Sequence, residues 1–78
     1  MNMQFRKRAT APRLAPDQAA RQGRVSRLAF EALRRPDAVI AFLNTHDDAL
    51  GGRPIDLAVA SEDGLLRVES AIAGLRPA

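Results

Sequence analysis

The placement of the apolar residues along the chain constrains its fold more than any single motif. Of the 19 Val, Ile, Leu and Phe residues among 78, 17 lie between Val25 and Leu75, and only Phe5 and Leu14 precede them. A hydrophobic core therefore begins near residue 25 and draws on residues 25–75. So small a core leaves a thin margin of stability, because small chains bury a smaller share of their surface. A partner, or self-association into a homo-oligomer, widens that margin by binding only the folded state. Dependence on a partner is thus expected from size alone.

The chain has no cysteine, which excludes a disulfide framework, thiolate metal sites and cysteine nucleophiles. That composition suits the cytoplasm. No apolar run approaches the roughly 20 residues needed to span a bilayer, and the basic start, Met1 to Arg8, is not followed by the apolar stretch of a signal peptide. The expectation is therefore a chain that is neither exported nor inserted in a membrane.

Charge is divided along the sequence. Residues 1–35 hold nine bases and two acids, residues 36–78 three bases and seven acids, and eleven of the twelve bases are Arg. Residues 1–15, with Arg6, Lys7, Arg8 and Arg13, one proline and no apolar period, cannot repay the entropy of ordering and are expected to form a disordered basic arm. These four cations, joined by Arg21, Arg24 and Arg27, suit either phosphate contacts or a solubilising surface.

From Pro16 onward the spacing is helical. Pro16 suits a first helical position and Asp17 the positive helix start, while Val25, Leu28, Ala29, Ala32 and Leu33 recur at three and four. This predicts a first helix over 16–34, weakened near Gly23. Pro36 opens a second helix to residue 44, with Val39, Ile40, Phe42 and Leu43 as its stripe. Pro54 permits a short helical turn to Val59. Ser61 caps a last helix over 62–75, with Leu65, Val68, Ile72 and Leu75 inward. No alternating run of β-branched residues appears. The expected architecture is all-α, a small bundle of three to four short helices over residues 16–78, preceded by the arm.

Few residues offer chemistry. His46 with Asp47 and Asp48 reads as a polar turn rather than a metal site or a general base. Ser61, with no base near it in sequence, reads as a helix cap rather than a nucleophile. Leu50-Gly51-Gly52-Arg53-Pro54 precedes a helix but lacks the Lys-Ser/Thr ending of a phosphate loop, and reads as a chain reversal presenting the planar donor fork of Arg53. No residue set calls for catalysis, a metal or another cofactor. The second helix is too apolar to read bases as a recognition helix does.

The ordered run Ala41-Phe42-Leu43-Asn44-Thr45, Ala49-Leu50-Gly51-Gly52-Arg53-Pro54-Ile55-Asp56-Leu57, Ser61-Glu62-Asp63-Gly64 and Val68-Glu69 resembles the toxin-binding domain of the Xre/MbcA/ParS antitoxin family over residues 25–75. It departs from that pattern at Phe42, where the family often has Trp, and at His46, where it usually has Pro. It also ends some ten residues earlier than many relatives and lacks the room for their N-terminal DNA-binding domain. The resemblance implies an antitoxin that forms a hetero-oligomer with a RES-domain toxin acting on NAD and occludes its active site. Leu50, Gly51, Gly52, Arg53, Pro54 and Leu57 would then shape the contact surface, and Arg76 would be carried to the toxin by the last helix. A second reading is a small nucleic-acid-binding regulator using the basic arm on phosphates, and a toxin complex could also bring several arms onto operator DNA.

Overall fold

A computed structural model describes residues 14–76. Within them are four helices: α1 (Pro16–Leu33), α2 (Pro36–Asn44), α3 (Pro54–Ala60) and α4 (Glu62–Ala73). Among the described residues there is no β-strand, only an isolated antiparallel bridge between Asp47 and Gly52. The all-α reading is thereby met. Residues 1–13 of the expected arm lie outside the described residues, and Ala15 already serves α1: its carbonyl accepts the Ala19 N–H at 2.8 Å and its N–H donates to the Gln18 side chain at 2.9 Å.

Three helices start with proline at the first position, where the missing N–H has no intrahelical partner to lose. The α1–α2 junction shows how tightly these starts are spaced. Arg34 ends α1 in the left-handed region (φ 65°), donating its N–H to the Phe30 carbonyl at 2.7 Å. Arg35 is extended, as a residue before proline must be to avoid the ring. The first helix therefore ends one residue sooner than its apolar spacing predicts.

The core consists of Val25 and Ala29 of α1, Val39 and Leu43 of α2, Ala58 of α3, and Leu65, Val68 and Ile72 of α4. α1 packs against all three other helices, and α4 lies against α1 and α3. Two expected stripe residues fall outside. Ile40 is 62% exposed because Val39 and Leu43, one turn apart, take the inward face of a nine-residue helix. Leu75 is 43% exposed because α4 ends at Ala73, capped at Gly74, so the stripe is broken before it.

The sharpest constraint lies at the α3–α4 corner. Ser61 ends α3 and begins α4, its hydroxyl accepting the Gly64 N–H at 2.9 Å. That geometry presses Gly64 onto the last turn of α3. A methyl group on Gly64 would sit 2.7 Å from the Leu57 carbonyl carbon and closer still to its oxygen. Gly23 is the opposite case, mid-helix with nothing within 4 Å of such a methyl. The two glycines should respond oppositely in thermal melts followed by circular dichroism. Gly64→Ala is expected to destabilise by about 3 kcal/mol as backbone is forced apart, and Gly23→Ala to stabilise by roughly 0.5–1 kcal/mol.

Candidate partner-binding site

The segment joining α2 to α3 is organised by one residue. The Asp47 carbonyl accepts the N–H groups of Leu50 (3.2 Å), Gly51 (2.8 Å) and Gly52 (3.3 Å), and the Asp47 N–H donates to the Gly52 carbonyl at 2.9 Å. Its carboxylate also accepts the Leu50 N–H at 3.1 Å. Gly51 closes the turn at φ 87°, a conformation open to glycine and resisted by other residues. With the Leu50, Gly51 and Gly52 amides turned inward onto Asp47, this loop does not present the row of backbone donors that cradles a phosphate, and the chain-reversal reading is the one the geometry supports.

The turn is tied to the bundle from two sides. Leu50 and Leu57 are half-buried and pack against the core. On the outer side, Arg67 of α4 donates through Nη2 to the Leu50 carbonyl at 2.7 Å. Arg67 was no candidate in the sequence reading. It lies 17 residues from Leu50, and no local pattern marks a contact of that span.

Arg53 stands at the N-cap of α3, exposed, with its fork closed on Asp56: Nε to Oδ2 at 2.8 Å and Nη2 to Oδ1 at 3.0 Å. The hydrogen bond and the charge of Asp56 raise the Arg53 pKa above its ordinary value. The guanidinium is already charged at every ordinary pH, so the pair fixes the fork's orientation and adds no pH switch. Pro54 is fully buried as the first residue of α3, so it supports the surface from beneath and offers nothing to touch. Arg76 is exposed beyond the end of α4. It lies nine residues after Arg67, past the end of the helix, and makes no hydrogen bond to the turn. The structure thus brings Leu50 to Leu57 into one surface, adds Arg67, and leaves Arg76 apart from them.

The structure separates the arginines of α1. Arg21, left open by the sequence as a phosphate contact or a solubilising charge, is 8% exposed and serves as neither. Its Nε and Nη2 donate to the Val59 carbonyl at 3.1 and 2.7 Å, and its Nη1 approaches Asp17 at 3.4 Å and Glu62 at 3.8 Å. Arg24 is hydrogen-bonded to Glu69, whose contact raises the Arg24 pKa, and Arg27 lies 3.8 Å from Glu31. The basic first half and the acidic second half are partly neutralised against each other across the fold. Arg6, Lys7, Arg8 and Arg13 lie outside the described residues.

His46 is exposed and 3.2 Å from Asp48. Among the described residues no group of three or more His, Cys, Asp or Glu side chains is placed to hold a metal ion, and no helix is long and apolar enough to cross a membrane. No protein-family model matches the chain, and comparison with curated proteins and with solved structures gives no match.

Arg67→Ala should release the turn without unfolding the bundle, since it removes one exposed hydrogen bond of about 1 kcal/mol. The expected result is faster hydrogen exchange at the Asp47 amide, which is held by the Gly52 carbonyl, with unchanged exchange at the Val68 and Ile72 amides of α4.

Proposed function

We propose that the chain is an antitoxin that neutralises a RES-domain toxin acting on NAD, and that the surface from Leu50 to Leu57 is its contact face. The observation that carries this reading is the organisation of the residues on which the family resemblance rests. Leu50-Gly51-Gly52-Arg53 forms a single braced turn, Pro54 supports it from below, and Ser61 and Gly64 fix the corner by which α4 backs it. A braced turn is pre-organised, so little freedom is lost when a partner binds it. No side chain in it is arranged as a nucleophile and base, which suits an inhibitor better than an enzyme.

Arg53 would meet the toxin's acidic groups, or the place where the NAD pyrophosphate sits, through the donors that Asp56 leaves free; a planar fork matches both kinds of anion. Arg67 joins it as a second cation at the same face, with no carboxylate of its own within 4 Å among the described residues. Arg76 would act separately, at the far end of α4.

The nucleic-acid reading rests first on Arg6, Lys7, Arg8 and Arg13, since Arg21 is buried against the Val59 carbonyl and Arg24 is paired with Glu69, which leaves Arg27 the most exposed of the three α1 arginines. It predicts binding to operator DNA that weakens steeply with salt.

The test is whether the gene beside this chain's own encodes a RES-domain protein that co-purifies with the chain, followed by assay of NAD consumption. Full-length chain should abolish NAD loss, and Arg53→Ala should weaken the complex by tenfold or more, about 1.4 kcal/mol. An Arg53→Ala chain that neutralises like the wild type would remove Arg53 from the contact face, and failure of the wild type to bind the toxin would remove the proposal.

A further inference from the structure

A cleft of about 370 Å³ opens between α1 and α4, and no residue from Leu50 to Leu57 lines it. Its apolar wall is Ala20, buried Leu65 and Leu66, the last 58% exposed and uncovered. Three carboxylates, Asp17, Glu62 and Glu69, and two guanidinia, Arg21 and Arg24, line the rest, leaving one net negative charge. Arg24 is taken by Glu69. Arg21 spends Nε and Nη2 on the Val59 carbonyl, so Asp17 and Glu62 share only its Nη1, at 3.4 and 3.8 Å, with 72% and 75% of their side chains exposed. The cleft therefore offers two under-neutralised carboxylates above an apolar wall, which suits a cationic head on an aliphatic stem.

The chain carries such groups close to the cleft in sequence. Residues 1–13 hold four bases and no acid, and they join the fold three residues before Asp17. Fully extended, the nine residues from Arg8 to Asp17 reach about 30 Å, and a short tether of this kind supplies a local concentration on the order of millimolar.

We propose that the α1–α4 cleft receives the chain's own basic segment, with Arg6, Lys7 or Arg8 set against Asp17 and Glu62 and its stem on Leu66. This goes beyond the toxin-binding reading and does not depend on it. The consequence is competition, because a cation held in the cleft is withheld from phosphates or from any other acidic surface.

The experiment is an amide chemical-shift comparison of the full chain with the full chain carrying Arg6→Gln, Lys7→Gln and Arg8→Gln. These substitutions are nine or more residues from Asp17 and outside the core, so folding is not at risk. Docking predicts shifts at the Ala20, Glu62, Leu66 and Glu69 amides and none in α2, which makes no contact with α4. About 1 M salt, where the screening length is about 3 Å, should move the same amides of the wild type to their positions in the variant. Unmoved cleft amides would overturn the proposal, as would changes spread evenly into α2. Shifts that vanish on tenfold dilution would also overturn it, because they would place the segment in a second molecule's cleft.

Discussion

The close crossing of α3 and α4 at Gly64 is the contact on which the other features rest. Because Gly64 has no side chain, the start of α4 can lie against the Leu57 carbonyl, and Ser61 can serve as the end of one helix and the cap of the next. This places Leu65, Val68 and Ile72 against Ala58 and the α1 residues Val25 and Ala29 in one cluster. A chain with so few large apolar residues has no slack to fill a wider gap, since interiors pack densely and a void loses its contacts outright.

The same corner explains why a nearly buried arginine is tolerated. A seven-residue α3 leaves its last carbonyls without helical partners, and Arg21 reaches from α1 to donate twice to the Val59 carbonyl. In turn Asp17 and Glu62 offset its charge at the surface. No side-chain nitrogen or oxygen among the described residues is buried without a hydrogen-bond partner. The exposed pairs, Arg27 with Glu31 and Arg35 with Asp37, contribute little by themselves, because solvent screens them. Arg21 differs in that losing it would strand both a carbonyl and two carboxylates.

The candidate contact face and the α1–α4 cleft meet at α4 by different residues. Arg67 braces the turn on one side of the helix, while Leu65, Leu66 and Glu69 line the cleft on another. One helix can thus back the candidate contact face and line the cleft without either using the other's side chains.

Much of the fold was legible in the residues themselves. Prolines at helix starts, Ser61 as a cap and apolar residues at three and four fixed the four helices to within two residues, because these signals act through local backbone geometry. The Gly51-Gly52 reversal was legible for the same reason. The role of Gly64 as a steric necessity, the burial of Arg21 and the reach of Arg67 to Leu50 were not, since each joins residues 7 to 38 apart in the chain. Charge asymmetry was visible in the sequence, but its pairing, Arg21 with Glu62 and Arg24 with Glu69, exists only once α1 and α4 lie side by side. Sequence determined which helices form and where the chain turns, because those depend on neighbours in the chain. Tertiary structure decided which arginines remain free to meet a partner, because that depends on which carboxylates and carbonyls the packing brings within reach.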